Sequence, residues 1–129
     1  MDLNDILANI EDQERGREFE LRHPVSGAPT GIKFRIAGPD SRTANRARIA
    51  MVDELAEIAR PDGTVSAHDR QHVRINALAR VVLGWNLTEG GEPLPFTHRN
   101  VVRVLTNVPW IHEQVDAFAD DRSTFRESA

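Results

Sequence analysis

The spacing of apolar residues changes along this chain and divides it into elements. Leu3, Ile6, Leu7 and Ile10 recur at three- and four-residue steps, the spacing of one helix face. A helix of about three turns is marginal in water by itself, so the N-terminal arm, residues 1–16, either docks or frays. The period then shortens to two. Phe19 and Leu21 alternate with Glu18, Glu20 and Arg22, and Ile32, Phe34 and Ile36 alternate with Lys33 and Arg35. Each stretch predicts a strand with one apolar face. The link 23–31 is rich in turn formers, which makes residues 17–38 an antiparallel hairpin with a wide loop. A lone two-stranded hairpin is marginally stable, so this one must lie on the helices or pair with a strand from another subunit.

Beyond Gly38-Pro39-Asp40 the helical period returns. Ser41 is an N-cap residue, and Ala44, Ala47, Met51, Leu55 and Ile58 form the stripe of a first core helix, stopped by Pro61-Asp62-Gly63. Ser66 caps the next helix, with Asp69 as an acidic third residue and Ile75, Leu78, Ala79 and Val82 facing inward. So short a link predicts an antiparallel helix pair. Thr97 caps a third helix carrying Val101, Val104, Leu105 and Val108. Pro109 suits the first turn of a fourth, whose inward face is Ile111, Val115 and Phe118.

Between the second and third core helices lies Gly84-Trp85-Asn86-Leu87-Thr88-Glu89-Gly90-Gly91-Glu92-Pro93-Leu94-Pro95-Phe96-Thr97. Two adjacent glycines and two prolines mark it as a loop. Yet Trp85, Leu87, Leu94 and Phe96 carry too much apolar surface to leave wet, since burying one such side chain is worth about 1.5–3 kcal/mol. Trp85 and Phe96 are therefore expected to be largely buried, anchoring the loop across the body. The expected fold is one mostly α, α+β domain: an N-terminal β-hairpin followed by four helices, with arm 1–16, hairpin 17–38, helical body 41–119 and polar tail 120–129.

Composition narrows the chemistry. With 129 residues and 40% hydrophobic content, one domain can bury about two-thirds of its unfolded surface. The absence of cysteine excludes disulfides, thiolate zinc sites and cysteine nucleophiles. No apolar run approaches the roughly 20 residues of a membrane span. The start Met1-Asp2-Leu3-Asn4-Asp5 lacks the basic and apolar regions of a signal peptide, so a cytosolic protein is expected. A net charge of −4 disfavours sequence-independent nucleic-acid binding, which needs clustered positive charge.

Each candidate site has a plain structural explanation beside it. His68 and His72 stand four apart near a helix start, but zinc needs three or four ligands, and two solvated histidines is the better reading. Asp53, Glu54 and Glu57 form an acidic cluster, but Asp53 and Glu57 share the face opposite Met51, Leu55 and Ile58, so a solvated helix face is the better reading. Ser41, Ser66 and Thr97 serve as caps, none in a nucleophile-elbow sequence. Gly90-Gly91 lacks the spacing of a phosphate loop. No cofactor is implied. Arg42, Arg46 and Arg48 form the one basic run, at a helix start where the dipole disfavours cations; Arg42 and Arg46 are kept as candidates for contact with an acidic partner or phosphate. Trp110 and Phe125 join them as candidate partner-binding residues. Phe125 stands alone in a polar tail, where it either folds back or waits for a partner, since aromatics are enriched at interfaces.

The run Phe19-Glu20-Leu21-Arg22-His23-Pro24, followed by a glycine-containing turn and Ile32-Lys33-Phe34-Arg35-Ile36-Ala37-Gly38-Pro39-Asp40-Ser41, resembles the opening of small tail assembly chaperones of long-tailed phages and phage-like elements. Val82-Leu83-Gly84-Trp85, the turn Gly91-Glu92-Pro93-Leu94-Pro95-Phe96-Thr97, the helix Val101 to Leu105, Pro109-Trp110-Ile111 and the late Phe125 extend the resemblance. It implies a protein that is not an enzyme. Such proteins bind the helical tape measure protein, help recruit the major tail protein for tube assembly, act in the host cytoplasm and leave before the virion is complete. A homo-oligomer is expected through the hairpin edges or the N-terminal arm, with no membrane or nucleic-acid partner. Two other classes fit the chain less well: a structural head–tail joining protein of the virion, and a DNA-binding regulatory module built on helices 41–60 and 66–84.

Overall fold

The computed structural model describes residues 1–125. The chain opens with a helix, α1 (Leu3–Arg15). Asp2 accepts the Asn4 N–H, and Asp5 reaches back to the Asp2 N–H, so a reciprocal cap defines the start. Strands β1 (Arg17–Arg22) and β2 (Pro29–Ile36) then pair antiparallel, with Phe19 opposite Phe34. Helices α2 (Arg42–Ile58) and α3 (Ala67–Val81) follow. α3 runs straight into a third strand, β3 (Val82–Trp85), which pairs antiparallel with β2 through Ile36–Val82, Arg35–Gly84 and Phe34–Trp85.

The expected architecture is corrected here. The chain does not begin with a β-hairpin, because a capped helix precedes it. Nor is the sheet two-stranded: its order is β1-β2-β3, with β2 central. The third strand comes from within the chain, and Val82, expected on a helix stripe, is its first residue. The Ala37 N–H donates to the Val81 carbonyl at 2.9 Å, stitching the end of β2 to the helix–strand junction. This supplies the extra partner that a lone hairpin lacks. Among the described residues there are five α-helices, and two small sheets rather than one hairpin.

The loop after β3 also contains regular structure. Strands β4 (Thr88–Glu89) and β5 (Glu92–Pro93) form a tight hairpin across Gly90 and Gly91. Both glycines have positive φ, 62° and 82°, as a two-residue turn matching strand twist requires. Helices α4 (His98–Asn107) and α5 (Pro109–Ala119) complete the body, and the described residues end on a 3₁₀ turn, Arg122–Phe125. The predicted caps hold: Ser41, Ser66 and Thr97 accept the N–H groups of Ala44, Asp69 and Asn100.

The core lies between the sheet and α3, α4 and α5. Phe34 and Ile36 from β2 meet Leu78 and Val81 of α3, Val101 and Leu105 of α4, and Ile111 and Val115 of α5. α2 is the exception. Only its alanines, Ala44 and Ala47, are buried, Met51 and Leu55 are half-exposed, and Ile58 is 41% exposed. The inward stripe predicted for this helix is therefore fully covered over its first two turns, partly covered at Met51 and Leu55, and open at Ile58.

Candidate functional site

The sequence-derived partner residues do not gather at one place. Phe125 is fully buried, so of its two readings the structure shows the one in which the tail folds back onto the body. Its ring meets Phe118 edge-on at 5.7 Å, and Phe118 stacks on Phe19 at 4.4 Å. The supposed polar tail is thus docked as far as Phe125. Trp110 is half-buried against the core. Arg42 is exposed but already paired: its Nη1 lies 2.5 Å from a Glu11 carboxylate oxygen, and the pair draws the Glu11 carboxyl below its ordinary range. Arg46 is exposed and makes one weak bond, Nε to the Arg42 carbonyl at 3.4 Å.

Of the loop anchors, Trp85 is partly buried and packs against the core. Its Nε1–H donates to the Leu94 carbonyl at 2.9 Å, and its ring packs on Phe34 at 5.5 Å. Phe96 caps the Trp85 ring edge-on at 5.3 Å yet remains 42% exposed. Anchoring thus runs through Trp85, with Phe96 as an outer cover. Glu89 also clamps the hairpin to α4 through two bonds from Arg103, at 3.0 and 3.1 Å.

The helix read as an arm is held by a polar joint. Gln13 is buried; its Oε1 accepts the Asp40 N–H at 2.7 Å, its Nε2 donates to Asn9 at 2.7 Å, and its carbonyl accepts the Gly38 N–H at 2.9 Å. Asn9 donates to the Phe125 carbonyl at 2.5 Å. Arg122 grips the Asp40 carboxylate from the other side, at 2.9–3.1 Å, and holds its pKa below the ordinary range. Glu14 meets the start of α2, accepting the Arg42 N–H at 2.7 Å and the Thr43 hydroxyl. Burial pushes the Glu14 carboxyl up, but these donors outweigh it and the net shift is downward. A carboxylate from α1 thus supplies the negative charge that the first turn of α2 lacks.

What this joint leaves uncovered is the first half of α1. Leu3, Ile6 and Leu7 are 64%, 41% and 49% exposed on one face. Beside them a surface cavity of about 440 Å³ runs toward Arg122 and Ser123, lined by Met1, Ile6, Asn9 and Gln13. Elsewhere, His112 of α5 joins His68 and His72 around a cavity of about 210 Å³, a grouping with no signal in linear spacing. Among the described residues no group of three histidine or acidic side chains is arranged to hold a metal ion. No helix among them is long and apolar enough to cross a membrane. Comparison with known protein families, with curated proteins and with solved structures returned no match.

Proposed function

We propose that this chain is a phage tail assembly chaperone. It binds a helical segment of the tape measure protein, assists tail tube assembly with the major tail protein, and acts by binding rather than by catalysis. It works in the host cytoplasm and is absent from the finished virion. The observation that carries this reading is the resemblance running from Phe19 to Phe125. The exposed Leu3, Ile6 and Leu7 face supports it, because an apolar stripe beside a groove suits a helix laid against it. The engagement of Arg42 with Glu11 speaks against phosphate binding by the basic run.

Co-expression with the tape measure protein of the same genome, followed by affinity capture, tests the proposal. The complex should survive moderate salt, and Leu3→Glu with Leu7→Glu should abolish capture while leaving the fold intact. Recovery of nucleic acid instead, with binding lost between about 50 and 200 mM salt, would sink the proposal in favour of a DNA-binding module.

A further inference from the structure

We infer that α2 is the self-association surface of this protein and that it pairs antiparallel with α2 of a second copy about a two-fold axis near Val52. The first observation is an uncovered apolar stripe. Ile49 and Val52 are 54% and 63% exposed, and Ala56 beside them is exposed too. Their three- and four-residue spacing puts them on one line of the helix.

The second observation is charge. Arg42, Arg46 and Arg48 lie in the first half of α2, and Asp53, Glu54 and Glu57 in the second. This order runs against the helix dipole, which favours acids at the start and bases at the end. Glu11 and Glu14 of α1 offset Arg42, Arg48 donates to the Pro39 carbonyl, and Glu54 pairs with Arg80. For Arg46 and Glu57 there is no ion pair among the described residues.

A second copy resolves both features. At about 100° per residue, Arg46 and Glu57 fall on the same flank of the apolar stripe, three turns apart. An antiparallel pair related by a two-fold axis brings each flank against the same flank of its partner, running the other way. Centred near Val52, this sets Arg46 opposite the partner subunit's Glu57 twice over, and Ile49 against the partner's Ala56. The interface is isologous, as closed dimers require. It also brings the two Asp53 carboxylates close beside the axis, the one repulsive contact of the arrangement. A single helix pair of about 25 Å length lies at the small end of specific interfaces, so the dimer is concentration-dependent.

Sedimentation velocity across a wide concentration range should show a species of twice the 14.5 kDa chain mass. Val52→Glu should remove it. Arg46→Glu or Glu57→Arg alone should each weaken it about ten-fold, the double exchange should restore it, and Asp53→Asn should tighten it. Because the chain has no cysteine, Val52→Cys gives a second readout: mild oxidation should link two copies through that position, whereas Ser26→Cys on the β1–β2 turn should not link. A monomer at every concentration overturns the inference. So does a dimer indifferent to Val52→Glu, or a charge exchange that fails to restore association.

Discussion

Replacing Phe125 with alanine should destabilise the whole domain, although the residue follows the last α-helix in a stretch that looks like tail. The ring is fully buried, edge-on to Phe118, with the Arg17 guanidinium 6.0 Å from its centre. Deleting a buried phenylalanine side chain costs about 3–5 kcal/mol. The 3₁₀ turn can partly collapse into the gap, which favours the lower end. With a urea dependence of about 2 kcal/mol per molar for a domain this size, a loss of about 3 kcal/mol lowers the midpoint by about 1.5 M. Phe125→Leu keeps most of the apolar volume and loses the ring pair, for about 1–1.5 kcal/mol. Urea titration followed by far-ultraviolet circular dichroism measures both. Native-state hydrogen exchange should concentrate the added opening in α1, because Asn9 bonds the Phe125 carbonyl. A midpoint shift under about 0.5 M for Phe125→Ala, the range of surface substitutions, would refute the docking of this segment.

Gly38→Ala should cost about 1–3 kcal/mol by thermal unfolding, since an added Cβ would fall 2.5 Å from the Gln13 Oε1 and 2.6 Å from its Cβ and Cγ; a neutral result would show that the Gln13 joint yields freely. Trp85→Phe keeps the ring contacts with Phe34 and Phe96 but loses the bond to Leu94, and should cost about 1 kcal/mol; an unchanged midpoint in urea would mean that this bond does not anchor the loop. In acid the Asp12 and Asp40 carboxylates matter, because bonds from Arg17 and Arg122 hold their folded pKa values below the ordinary one. Their contribution is complete above the unfolded pKa of about 4 and disappears as pH falls through the lower folded values. Stability should therefore decline below about pH 4, and Asp40→Asn should flatten that decline; an identical acid slope in the variant would exclude Asp40.

Local pattern reaches as far as local physics does. The caps at Ser41, Ser66 and Thr97, the proline-led start of α5 and the two strands around Phe19 and Phe34 were legible, because each depends on neighbours a few residues away. The aromatic loop was legible as ordered, since Trp85 and Leu94 could not remain wet. α1 was legible as a helix, but not as an element fixed to the body, because Gln13 finds Asp40 across 27 residues. β3 was hidden for the same reason. Four residues, Val82-Leu83-Gly84-Trp85, show no strict alternation, and only pairing with β2 makes them a strand.

The candidate surfaces divide in the same way. The polar neighbours of Phe125 left open whether it folds back or waits for a partner, because burial is set by what lies above it in space, here Phe118 and α1. Arg42 looked like a free cation because Glu11 and Glu14 are distant in sequence. Ile49, Val52 and Ile58 belong to a helix whose apolar arc is wider than one neighbour can cover. Periodicity determined that α2 is a helix with an apolar face; only the packing of α3 against its alanines decided how much of that face stays open to water.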